Sequence, residues 1–260
     1  MKLVFCERIS QFERVEVSFY FQILTKKIQI DFIKITFLRL IDPQQLPDEF
    51  LRDVKRINYD SASVKINLAT DALPEFTAKP GPGEWLNGTI HICPDMQYIE
   101  DAYSDSVAGR PSRKPIIEMT IPSKLDDTLA PEGKYVINLF TQYGPYNLRE
   151  GLSWEVEREA YANRIIDILC DYAPNMKKSI IHRQILTPVD LEREYHITGG
   201  SLFHGRMTLD QMFHMRPVPG YSNYRTPLHD LYLCGSATHP GGGVMGTSGL
   251  NASKEILKDW

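Results

Sequence analysis

Long apolar runs are missing from this 260-residue sequence: none approaches the roughly 18 residues that a bilayer crossing needs, so nothing in it reads as a membrane span. A dominant charge is missing too. The net charge is −4 and the pI near 6.0, which gives no reason to expect nucleic acid or an anionic membrane as a partner. Cysteine is sparse and scattered. Cys6, Cys93, Cys170 and Cys234 form neither a C-x-x-C pair nor a zinc spacing, so a local redox dithiol is excluded and the four read as buried thiols in a reducing compartment. The seven histidines show no H-E-x-x-H or H-x-x-x-H spacing, and no serine, histidine and acid arrangement suggests a hydrolase nucleophile.

What is present is concentrated near the C-terminus. Leu231 to Cys234 is a short apolar run closed by Gly235, the pattern of a buried strand, and Thr247 to Leu257 has helical spacing through Leu250, Lys254 and Leu257. Between them lies Ser236-Ala237-Thr238-His239-Pro240-Gly241-Gly242-Gly243-Val244-Met245-Gly246. Glycine there permits tight turns and removes the Cβ that would keep a ligand from backbone N–H groups. N–H groups at a helix start, with the helix dipole behind them, attract an anion or an electron-rich carbonyl. Gly241, Gly243 and Gly246 also satisfy G-x-G-x-x-G, but a dinucleotide fingerprint needs a following strand and an acidic residue about 20 positions on, and neither follows.

This strand and glycine run resembles the C-terminal flavin-contacting motif of the carotenoid and retinoid oxidoreductases, the phytoene desaturase group of flavoproteins. The likeness continues upstream through Thr36-Phe37-Leu38-Arg39-Leu40, Lys65-Ile66-Asn67-Leu68-Ala69, Leu139-Phe140-Thr141-Gln142-Tyr143, Ile185-Leu186-Thr187-Pro188 and Arg216-Pro217-Val218-Pro219, so it covers residues 36–260. The resemblance implies an FAD-dependent oxidoreductase acting on a hydrophobic small molecule, with a mitochondrial (matrix) setting, although no transit-peptide pattern is visible. It implies cofactor contacts at Gly235, Ser236, His239, Pro240, Gly241, Gly242, Gly243, Val244, Met245 and Gly246. Ser236 departs from the pattern, standing where related flavoproteins often carry an acidic residue. The family's βαβ fingerprint unit has no counterpart before Thr36. The expectation is therefore an incomplete flavoprotein fold of α/β (α+β) class, whose hold on FAD is weak without that unit. A non-catalytic protein acting through protein contacts is the competing expectation.

In chain order, residues 1–35 alternate as a two-strand extension unlike the family, residues 36–227 form a mixed-sheet substrate domain with parts of the FAD-domain framework, and residues 228–260 form the FAD segment. Helices are expected over Pro47–Ile57, Asp95–Val107 and, capped by Ser153, through Tyr172, with Val156, Ala160, Ile165, Ile168 and Leu169 on the apolar face of the last. Strands are expected at Ser63–Thr70, Thr89–Cys93, Ile116–Ile121 and Tyr135–Thr141, and a proline- and glycine-rich surface loop over Ala72–Asn87. His204 and Arg206, after the Gly199-Gly200 pair, are candidates to line a ligand cavity, while the charges Glu155, Glu157, Arg158 and Glu159 read as a solvated helix face.

Overall fold

The computed structural model describes residues 28–30, 33–60, 62–243 and 246–259. In chain order its main elements are β1 (Ile28–Ile30), α1 (Asp48–Arg56), β2 (Ser63–Thr70), β3 (Ile90–Ile92), α2 (Met96–Val107), β4 (Ile116–Thr120), β5 (Tyr135–Gln142), α3 (Trp154–Tyr172), β6 (Ile180–Leu186), α4 (Pro188–Tyr195), β7 (Leu231–Leu233) and α5 (Thr247–Leu257). They fall into two compact units. The described residues of 60–200 form one, and those up to Tyr59 join the described residues from Ser201 onward in the other.

The contiguous unit is built on a five-stranded sheet of order β3-β4-β5-β2-β6, antiparallel at every pairing. β2 and β5 read as period-2 alternations, so one face of the pair collects Val64, Ile66, Leu68, Ile137 and Leu139, all fully buried. α3 packs on that face through Trp154, Tyr161, Ala162, Ile165 and Leu169, closing the core. The exposed ends of the expected stripe need correcting: Val156 is 74% exposed and Ala160 is exposed as well. Val156 lies two residues, about 200° of helix rotation, beyond the buried Trp154, so both cannot face the sheet. Ser153 precedes this helix but its side chain makes no cap hydrogen bond.

The Ala72–Asn87 stretch also differs from expectation. It is not only surface: Leu86 is fully buried, Phe76 is buried, and the Phe76 and Trp85 rings meet edge to face with centroids 5.5 Å apart. β6 and α4 were not expected from periodicity. α4 is nonetheless set by a local signal, because Thr187 and Asp190 form a reciprocal capping box with Pro188 in the first turn.

In the other unit β1 pairs in parallel with β7, Ile28 opposite Leu231 and Ile30 opposite Leu233. The parallel and antiparallel ladders of a mixed architecture thus lie in separate sheets. α1 begins after Pro47 with Asp48 and Glu49 in its first turn and ends with Lys55 and Arg56, matching its dipole, and buries Phe50, Leu51 and Val54. These join Phe37, Val218 and Leu233 in a second core. The expected two-strand extension lies outside the described residues except for 28–30 and 33–35, as does Cys6. Cys93, Cys170 and Cys234 are half-buried rather than buried.

Candidate glycine-turn site

β7 delivers the chain from a fully buried strand into the glycine run. Gly235 takes φ +98, and its carbonyl accepts hydrogen bonds from the Thr238 backbone N–H at 3.1 Å and from Thr238 Oγ1 at 2.9 Å. The next carbonyl, that of Ser236, is held by the Arg216 guanidinium: Nε donates at 3.1 Å and Nη2 at 2.7 Å. Arg216 is 2% exposed, and it also donates to the carbonyls of Phe203 and Gln211. Burying a guanidinium is tolerable only when its donors are satisfied, and here backbone oxygens converge on it.

Further along, the His239 carbonyl accepts from Tyr224 Oη at 2.9 Å and from Ser248 Oγ at 3.1 Å, and Asn251 donates to the same tyrosine hydroxyl at 2.9 Å. Those bonds tie the middle of the turn to α5. His239 Nδ1 lies 3.2 Å from the Phe213 carbonyl. The imidazole is therefore engaged with the chain itself.

Gly242 is required by packing and Gly241 by its backbone conformation. A Cβ at Gly242 would stand 2.2 Å from Phe203 Cδ1, and one at Gly241, already at φ +127, 3.0 Å from Met207 Cε. Gly243 and Gly246 differ. Both are exposed and take positive φ, +106 and +67, and a Cβ at Gly246 would meet nothing within 4 Å. Gly246 is the N-cap of α5 with no side-chain cap bond. The inner side of the turn is thus filled by this chain's own side chains, and its open side leads to the helix start, whose first N–H groups have no intrahelical acceptor.

Of the expected cofactor contacts, Gly235, Ser236, His239, Pro240, Gly241, Gly242, Gly243 and Gly246 lie in this one strand, turn and helix start, while Val244 and Met245 lie outside the described residues. The helical spacing of Leu250 and Leu257 proves to be an outer face: both are exposed, and Ser248 and Ala252 are the buried positions of α5. His204 is buried and takes φ +52, and Arg206 is fixed through its backbone N–H to the Asn58 carbonyl at 2.8 Å, beside Gln211, which donates to the same carbonyl at 3.0 Å. Arg216, Tyr224 and Asn251 were not singled out by sequence. Only the Arg216-Pro217-Val218-Pro219 likeness hinted at the first.

No family model matches the sequence. Over 233 residues, 87% of the chain, it is 47% identical to a mouse (Mus musculus) protein and 46% identical to its rat (Rattus norvegicus) counterpart, both called pyridine nucleotide-disulfide oxidoreductase domain-containing protein 2. Over 159 residues, 58% of the chain and 30% of the relative, it is 33% identical to 4,4'-diapophytoene desaturase (4,4'-diaponeurosporene-forming) of Staphylococcus aureus strain Newman. A solved oxidoreductase from Methanosarcina mazei aligns with 89% of the chain and 42% of its own at 13% identity and a TM-score of 0.46, too loose a likeness to assign anything. The chain spans 40% of the length of the two rodent proteins. The chain is thus a relative, over most of its own length, of pyridine nucleotide-disulfide oxidoreductase domain-containing protein 2 and, more distantly, of the phytoene desaturase group.

Proposed function

We propose that the chain is the C-terminal part of an FAD-dependent oxidoreductase of the carotenoid and retinoid oxidoreductase family, with a role in mitochondria. In this reading residues 228–260 contact the flavin, and residues 36–227 supply the substrate side and the framework. The observation that carries it is the glycine turn itself, which is exposed at Gly243, open at Gly246, without a side-chain cap at the start of α5, and pinned by Arg216 and Tyr224. These residues fit one edge of a flavin. When bound, the flavin would supply the acceptor for a hydride equivalent from the substrate.

The chain's own residues would do the rest. The first N–H groups of α5, which lack intrahelical acceptors, would favour negative charge at the helix start, and each aligned donor in a dry site is worth about 3 kcal/mol. Arg216 holds the Ser236 carbonyl so that the turn keeps its shape, and Phe203 and Met207 pack against Gly242 and Gly241. Ser236 contributes a hydroxyl rather than a charge. None of these steps needs a side-chain acid or base.

The test is complementation. The chain would be co-expressed with the part of the mouse relative that it does not match, and the purified assembly examined for flavin absorbance. We expect flavin to co-purify, and Gly243→Val and Gly246→Val, which close the open side and strain positive-φ positions, to remove at least nine-tenths of it. An assembly that forms without flavin would sink the oxidoreductase reading and favour the alternative, contact-only role, for which the exposed Leu209 and Phe213 offer apolar surface.

A further inference from the structure

Basic side chains gather on one short loop of the contiguous unit. The segment 109–114 follows α2, leads towards β4, and carries Arg110, Arg113 and Lys114. Two further arginines are brought to it by the fold: the Arg149 backbone N–H donates to the Gly109 carbonyl at 2.7 Å, and Arg164 of α3 donates through Nη1 to the Ser112 carbonyl at 2.8 Å. Even fully extended, residues 110–114 span at most about 14 Å, so these side chains leave from one small patch. The chain as a whole has a net charge of −4, which makes the patch a local reversal of sign.

The loop is held still. Ser112 is fully buried, its hydroxyl donating to the Ala102 carbonyl at 2.6 Å and its N–H to the Tyr143 carbonyl at 2.9 Å. Asp105, with 3% of its side chain exposed, accepts from Arg110 Nε at 2.8 Å and Nη2 at 2.7 Å, and from Arg113 through its backbone N–H at 2.9 Å and Nη2 at 3.1 Å. Both guanidinium groups are bound along the Nε edge, and Nη1 of each makes no hydrogen bond among the described residues. Neutralising Asp105 and the C-terminal end of α2 accounts for this pair. It does not account for Lys114 and Arg149, which are exposed and whose side chains have no hydrogen-bond or ion-pair partner among the described residues. Asp101 faces Arg113 and Glu150 follows Arg149, so the acids of the patch remain outnumbered.

We propose that this loop binds the di- or triphosphate chain of a soluble molecule. The unused Nη1 groups of Arg110 and Arg113, held together by one carboxylate, take one phosphate, and Lys114 and Arg149 take the next. Guanidinium forks match phosphate oxygens, and fixing them in advance removes the ordering cost that a free surface arginine carries. A single phosphate engages only part of the set, so the site selects a chain of phosphates over orthophosphate. The proposal concerns the contiguous unit and does not depend on flavin.

The test is calorimetric titration of the purified chain with inorganic tripolyphosphate, and with orthophosphate for comparison, at about 0.05 M and about 0.15 M salt. We expect saturable binding of tripolyphosphate that weakens with salt, and binding of orthophosphate at least about tenfold weaker. Lys114→Gln combined with Arg149→Gln should weaken tripolyphosphate binding about tenfold while leaving the thermal midpoint unchanged. Lys134→Gln combined with Lys178→Gln removes the same charge from exposed positions elsewhere, and should change binding by less than about twofold. Absence of saturable binding to the native chain, equal binding of the two anions, or equal losses in the two double variants would each overturn the site. Sedimentation of the chain with vesicles of phosphatidylcholine and phosphatidylglycerol, abolished by the first double variant, would assign the patch to a membrane surface and overturn the soluble ligand. The native chain's ranking of the two anions decides the matter even if a variant fails to fold.

Discussion

Asp190 shows how much a single side chain carries. It is 1% exposed and accepts from Arg158 Nη2 at 2.5 Å, from Arg193 Nη2 at 2.6 Å and from both the backbone and hydroxyl of Thr187. Burial pushes its carboxyl pKa up, but the Thr187 hydrogen bonds and the two guanidinium groups outweigh burial and hold it below the ordinary carboxylate value. A folded-state pKa depressed in this way contributes stability that is complete above the unfolded value, near 4, and is lost as pH falls through the folded one. Asp190→Asn should therefore lower stability at neutral pH by about 3 kcal/mol and flatten the acid limb of the curve, as measured by urea midpoints at successive pH values. Native and variant curves that run parallel below about pH 4 would refute this assignment. The cap signal is local, in Thr187-Pro188-Val189-Asp190, although it was not read from the sequence, and the role of Arg158 has no local signal at all. It had read as part of a solvated charge face, and only folding brings it 32 residues down the chain to Asp190. Arg216 escaped notice for a related reason, because its partners are backbone carbonyls, which no residue type announces.

Elements were more legible than the faces they present. α2, α5 and β2 fall where spacing put them, since caps such as Asp95, whose side chain accepts from the Tyr98 N–H at 2.8 Å, and period-2 runs are local. β6 was missed because its Ile180-Ile181-His182-Arg183 start does not alternate, and the strand is irregular against β2 between Ala69 and Thr70. For α3 the length and the later part of the apolar stripe, Ile165, Ile168 and Leu169, were readable, but its first turns were not, since alanine and valine are tolerated outside and tyrosine inside. Val156→Glu should accordingly change stability by less than about 0.5 kcal/mol, while Ile165→Ala should cost about 3 kcal/mol, both read from chemical denaturation. Comparable losses for the two would return the helix to the orientation its spacing suggested. The glycine turn was legible as a turn, and the division of its glycines between packing and an open side was not. That division depends on Phe203 and Met207, roughly 35 to 40 positions earlier in the sequence.

For the whole molecule, the two units differ in how they are made. Asp60–Gly200 is one unbroken stretch, and its core draws every buried member, from Val64 to Ile185, from inside that stretch. Expressed alone, this stretch should unfold in a single cooperative transition with matching far- and near-ultraviolet circular dichroism midpoints. Non-coincident midpoints would mean that its core is not self-sufficient. Composition and charge left this division unseen, because it depends on which distant segments return to one another.

The order β3-β4-β5-β2-β6 also has a meaning in time. β2 leaves the ribosome before any other strand of its sheet, yet both of its neighbours are made after the rest: Val64 waits 77 residues for Thr141, and Asn67 waits 117 for Gln184. Until β5 is made the nascent chain carries a half-apolar strand with two bare edges, while β3 and β4 can already pair as antiparallel neighbours, and one edge stays bare until β6 follows. Insertion of the oldest strand between two younger ones is then the late, slow step of synthesis. A chaperone that shields residues 63–70 would act on this protein before any cofactor did.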